Sequence, residues 1–214
     1  MSLDKILKAL YETLYMTLGS LLLSILIGIL IGIILFLTKS DGLCHNKFIN
    51  RITDIIVNIL RAIPFIILMF ILMPLSKILT GTILGATAAI PSLVFAAAPF
   101  YARLAIIAFD EVDKKIIESA LAMGANKRQI IFKVVLSEAM PSLVSGIGVT
   151  AISLVSYTAM AGAIGSGGLG NLAYMYGLAR YIPFILYSTT IIIVIIVFII
   201  QFITDSIVKK IDKK

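Results

Sequence analysis

One cysteine, Cys44, and one histidine, His45, are all that 214 residues offer of either type. A lone thiol cannot close an internal disulfide, so cysteine usage leaves the redox compartment open. A lone histidine in a short loop is two or three ligands short of a metal centre. Charge is scarce as well: 14% of residues are Asp, Glu, Lys or Arg, against 60% hydrophobic and a mean hydropathy of +1.11. That is too little polar surface to coat a soluble globule.

Charge is missing altogether from Thr13–Thr38, Ala62–Ser76, Ile78–Ala102, Ala139–Ala179 and Tyr181–Thr204. About 20 apolar residues suffice for a helix to cross the hydrocarbon core. The expectation is an all-α integral membrane protein with about five transmembrane helices. The first run is longer than a secretory core, lacks a small-residue cleavage pattern and is followed by four more, so it is expected to persist as a span.

With five crossings the polar segments alternate between two sides. Residues 39–61, 103–138 and the C-terminal tail share one side and hold all of the 18 Lys and Arg residues except Lys5, Lys8, Lys77 and Arg180. By the positive-inside rule the N-terminus is expected outside and the C-terminus in the cytoplasm. The formal charge of +7 then reads as topology and argues against nucleic acid as a partner.

Spans are expected near Thr13–Leu37, Thr53–Leu75, Leu79–Leu104, Ala139–Ala161 and Pro183–Thr204. Gly28 and Gly32 form a small-xxx-small pair in the first. Pro64 and Pro74 interrupt the second, and Pro91 and Pro99 are expected to bend the third. In the fourth, Ser142, Gly146, Thr150, Ser153, Tyr157 and Met160 fall on one helical face, as interhelical glue or as a wet lining. Ser153, Tyr157 and Met160 are the pathway or gate candidates. The fifth is a β-branched Ile/Val run suited to lipid. No internal repeat is visible, so a symmetric pathway would need a second copy.

The only sizeable polar stretch, residues 110–129, separates the third and fourth spans. Asp113 can cap a short helix bearing Ile116, Ile117, Ala120 and Leu121 on one face, Gly124 can end it, and Asn126 with Gln129 forms a capping box for the next. A DNA-binding helix-turn-helix is disfavoured: both ends are tethered to spans, and no third helix covers the apolar face. A short amphipathic helix projecting from a membrane protein suits the cleft of a peripheral protein.

This stretch resembles the cytoplasmic loop of bacterial ABC importer permeases, E-A-A, three residues, G, nine residues, I-x-L-P. Glu118-Ser119-Ala120 and Gly124 keep its first part, Val134 stands for Ile, and Leu136-Ser137 for Leu-Pro, with Pro141 four residues on. Residues 61–68, 97–100 and 157–170 resemble the methionine-importer branch of that family, and the likeness runs over roughly residues 9–208. It implies a type I importer permease domain at 9–208 with a coupling loop at 105–137, a short outer segment at 1–8 and a basic tail at 209–214. It also implies a homodimer, two cytoplasmic ABC ATPase subunits holding ATP and Mg, an extracytoplasmic substrate-binding lipoprotein and surrounding lipid. Glu118, Ala120, Leu121 and Gly124 would dock the ATPase. The chain itself would hold no cofactor or metal and no catalytic residue, serving as a non-enzymatic permease in the bacterial cell membrane.

Other motifs fail on context. Gly165, Gly167 and Gly170 match a dinucleotide fingerprint, but no strand precedes them and no acidic residue follows at the required distance. The serines lack a base and an oriented acid. Glu12, Asp54, Arg61, Glu138 and Asp205 are all expected near span ends, which leaves the bilayer interior without the ionisable groups that proton-coupled carriers use. Energy is therefore expected from an external ATPase. A secondary transporter coupled to sodium through carbonyls of broken helices stays open, as do a permease for another small amino acid or peptide and a membrane scaffold.

Overall fold

The computed structural model describes residues 3–212, and among these every regular element is a helix. Helix α1 (Leu3–Thr38) runs without a break. The outer segment expected at 1–8 is thus, from residue 3 onward, the first turns of the same helix, while Met1 and Ser2 lie outside the described residues. Thr13, Thr17, Ser20, Ser24 and Gly28 recur every three or four positions, four of them buried hydroxyl residues, and this narrow face lies on α4 (Ala86–Asp110). A Cβ on Gly28 would sit 2.7 Å from the Ala98 carbonyl oxygen, and one on Gly32 2.9 Å from Ala105 Cβ. Small residues are required there by the approach of two backbones.

Helix α4 is continuous through Pro91 and Pro99, so neither breaks the span. The break falls elsewhere. The second expected span is two helices, α2 (Lys47–Ala62) and α3 (Phe65–Thr80), bent by 109°. The cause is local: a residue before proline is driven out of the helical region, and Ile63 takes φ −77°, ψ 124° ahead of Pro64. Pro74, lacking that effect on its surroundings, sits inside α3.

After α4 come α5 (Lys114–Ala122), α6 (Lys127–Gln129), a π-helical stretch at Ile130–Val135 and α7 (Leu136–Glu138), leading into α8 (Met140–Ala161). Residues 105–110 of the expected coupling loop still belong to α4. Beyond α8 the chain folds back through Gly162–Ser166, α9 (Gly168–Leu172) and Ala173–Leu178 before α10 (Pro183–Ile211). Thr204, late in α10, meets Gly148, early in α8, so α10 runs antiparallel to α8 and its basic end lies at the end of the bundle where α8 begins. The Ile/Val surface of α10 is largely exposed, as lipid contact demands.

Four described helices are long and apolar enough to cross a membrane, or five if the bent pair counts as one. Three buried clusters hold the bundle, and the one nearest α5 joins Phe36, Phe109, Ala120, Ile130, Val135 and Leu143. The segment between α4 and α8 is therefore packed against the ends of the spans.

Candidate functional site

Helix α5 begins where its sequence dictates. The Asp113 carboxylate accepts from the Lys115 amide at 2.9 Å, satisfying one of the donors a helix start leaves unpaired. It ends at Gly124, whose φ of 83° is the left-handed geometry that glycine adopts without cost. Asn126 and Gln129 then exchange the two hydrogen bonds of a capping box, at 2.9 and 2.8 Å.

Of the docking candidates, Ala120 is 6% exposed and packs in the chain's own core cluster. Its place in a partner's cleft is corrected: Ala120 seats the helix on the spans. Glu118, Leu121 and Gly124 face outward. So does Met123, 82% exposed, an apolar side chain left in water for want of a cover. A cavity of about 380 Å³ opens beside it, lined by Met123, Gly124, Gln129, Lys133 and Val134.

A polar latch ties α5 to the loop after α1. Lys114 Nζ donates to Asp41 Oδ2 at 2.6 Å, and Lys39 Nζ to Asp110 Oδ1 at 2.5 Å, with Asp41 Oδ1 at 3.7 Å. The hydrogen bond from Lys114, reinforced by the charge of Lys39, holds the Asp41 carboxyl below its usual value. The same hydrogen bond and the charge of Asp41 raise Lys114. These groups are exposed, so the latch orients more than it stabilises.

Halfway up the bundle lies a cavity of about 260 Å³ at the α2–α3 bend, lined by Leu60, Arg61, Ile63, Phe65, Ala96, Phe100 and Tyr157. Tyr157 stacks on Phe65 with ring centroids 4.8 Å apart and planes 13° from parallel. Of the pathway candidates the structure brings only Tyr157 here. The Ser153 hydroxyl donates to the Val149 carbonyl at 2.9 Å, which occupies its proton within α8. Met160 is exposed, on an open α8 face shared with Ser145, Val149 and Ser156.

Arg61 overturns its expected place at a span end. Asn50 Nδ2 donates to Leu35 O and Thr38 Oγ1 at 3.0 and 3.1 Å, so α2 starts beside the end of α1. It reaches the level of Ala96 and Phe100 by Arg61. Those two precede Asp110 by ten to fourteen residues, roughly 15–21 Å along α4, or about half of a ~30 Å hydrocarbon core. Lys47, Arg51, Asp54, Asn58 and Arg61 recur at steps of four and three and so form one polar stripe. Phe48, Ile52, Ile55, Ile56 and Ile59 lie on the other side, all exposed. The alternation is present in the sequence, and the span expected at Thr53–Leu75 encloses Arg61; only the charge-free run, which begins at Ala62, sets Arg61 at an end.

At the other end of the bundle, α1 grips the glycine-rich turn. Glu12 Oε2 accepts from the Gly168 amide at 2.7 Å and Thr13 Oγ1 from the Leu169 amide at 2.9 Å. Two side chains from 156 residues away thereby cap α9. The close approach needs glycine at position 168, where φ is 78° and a Cβ would lie 2.7 Å from Thr13 Oγ1. No local pattern announces this contact. Among the described residues no group of three or more His, Cys, Asp or Glu is placed to hold a metal.

Residues 24–214 match the protein family described as binding-protein-dependent transport system inner membrane component. The chain is 56% identical over 214 residues to the methionine import system permease protein MetP of Bacillus subtilis, covering all of this chain and 96% of that one. It is 46% identical over 179 residues, 84% of each chain, to the probable D-methionine transport system permease protein MetI of Haemophilus influenzae. Its fold superposes with a TM-score of 0.97 at 39% identity, over the whole of both chains, on a structure of the MetNI methionine ABC transporter in inward-facing conformations.

Proposed function

The chain belongs to the family of binding-protein-dependent transport system inner membrane components, and on that premise we propose that it is the permease subunit of an ATP-driven methionine importer. The observation that carries the substrate is the 56% identity to a methionine import permease along the entire chain. The working unit is a homodimer, with the exposed α8 face of Ser145, Val149, Ser156 and Met160 turned to the second copy. Two ABC ATPase subunits bind ATP and Mg and supply the energy, and an extracytoplasmic lipoprotein delivers the amino acid. The α5 end faces the cytoplasm, following its excess of Lys and Arg.

The chain makes and breaks no bonds. Closure of the ATPases on ATP pushes α5, and because Ala120 lies in one buried cluster with Phe36, Phe109 and Leu143, the push reaches the ends of α1, α4 and α8 together. The spans rock between two access states as packed bodies. Glu118, Leu121 and Gly124 form the docking surface, and Tyr157 lines the pathway. Proteoliposomes holding permease, ATPase and binding protein should accumulate labelled methionine only with ATP inside the docking compartment. Uptake by the permease alone would replace this reading with a secondary carrier, and faithful uptake of a different amino acid would replace its substrate.

A further inference from the structure

We infer that Arg61 is the charge partner of the substrate carboxylate as the amino acid passes the middle of the membrane; this rests on the import reading above. The guanidinium stands at mid-depth of α4, exposed, on the rim of a cavity otherwise built from Leu60, Ile63, Phe65, Ala96, Phe100 and Tyr157. A charge at that depth is costly unless it meets water or an opposite charge, so it marks a pathway. Among the described residues no carboxylate pairs with it.

A second copy brings no obvious partner either. Of the 11 acidic residues, Asp54 is engaged by Arg103 at 3.6 Å and by Asn58 at 3.0 Å. Asp205 is exposed on α10, where it accepts from Gln201 Nε2 at 2.9 Å. The other nine lie toward the two ends of the bundle. The anion that satisfies Arg61 is therefore brought by the passenger.

The cavity suits an α-amino acid with an apolar side chain. Its volume of about 260 Å³ lies just below that of drug-sized sites. A planar guanidinium meets a carboxylate through two parallel hydrogen bonds. The rings of Phe65, Phe100 and Tyr157 line it with aromatic surface of the kind that attracts an ammonium and a thioether. The stripe of Asp54, Asn58 and Arg61 on α2 continues as a polar track toward the α5 end, which gives the released amino acid a wet exit.

The test is a charge rescue in the reconstituted complex. In a Cys44→Ser background, R61C should lower ATP-dependent methionine uptake by roughly ten- to hundred-fold, the worth of a hydrogen bond to a charged group. The complex should still assemble, as read by copurification of the ATPase with the permease. Modification with a reagent that adds an aminoethyl group should restore much of the uptake, whereas one that adds a sulfonatoethyl group should not, and R61K should retain more than R61Q. Full uptake by R61Q, or equal responses to the two reagents, would overturn the assignment. A parent complex that takes up no methionine would instead sink the import reading, so the two failures are distinguishable.

Discussion

Helices α2 and α5 carry the same kind of pattern, apolar residues on one side and polar ones on the other, yet they solve opposite problems. Helix α5 projects from the end of the bundle, and in water its apolar residues Ile116, Leu121 and Met123 are the ones left without cover. Helix α2 climbs beside α4, and in lipid its exposed isoleucines are at home while the stripe from Lys47 to Arg61 needs cover. An amphipathic helix thus says that something must lie against it, but only the solvent says which face. On the readings proposed above, the missing cover for α5 is protein and that for α2 is water and a charged passenger.

The contrast can be broken most severely by one acidic residue on each helix. Ile59→Asp puts a carboxylate on the lipid side of α2, at a cost approaching the roughly 2.5–3.5 kcal/mol of a charge at the bilayer centre. Little folded protein should survive in membranes, as read by yield and by melting of the purified complex. Ile116→Asp on α5 should leave yield and melting unchanged and weaken only ATPase association. Equal loss from both changes would mean that the two exposed apolar faces meet the same medium.

A smaller effect sharpens the assignment of α5. At Gly124 no atom of the chain lies within 4 Å of an added Cβ, so Gly124→Leu meets no obstacle until a partner arrives. It does carry the strain of a left-handed non-glycine residue, about 1–2 kcal/mol, and Gly124→Ala carries the same strain without the bulk. Transport and ATPase copurification should fall about tenfold or more in the leucine variant, the usual scale of a disturbed interface centre, and only a few-fold in the alanine variant. Matching losses would assign Gly124 to backbone geometry alone.

The same pair of helices shows what a sequence discloses. Asp113, Gly124, Asn126 and Gln129 act on neighbours within four residues, so the helices between α4 and α8 could be drawn in detail before any coordinates. The five-crossing helical plan was legible for the same reason, since hydropathy is additive along the chain. The depth of Arg61 was not, because it depends on α2 lying beside α4 and on Ile63 breaking the span ahead of Pro64. The cap that Glu12 and Thr13 place on α9 joins residues 156 apart, and no periodicity encodes it. The burial of Ala120 was not legible either, since Ala120 and Leu121 are adjacent and only the packing of α5 on the bundle separates them.

The weakest expected effect concerns the latch between α5 and the loop after α1. The Asp41 carboxyl is held below its ordinary value of 3.8, so its contribution is present above that value and is lost only as pH falls through the depressed one. Lys114 is raised above 10.5, so its contribution is complete below that value and is lost only as pH rises through the elevated one. Both conditions leave the pair charged from about pH 5 to pH 9. Asp41→Asn should therefore change the ATP consumed per methionine by no more than about twofold, as befits an exposed ion pair. The ratio to the parent should stay flat between about pH 6 and 8, and it should shrink as salt screens the pair. A change that switched on within that window would show a third group titrating with the latch, and α5 would then be steered by pH as well as by its proposed docking face.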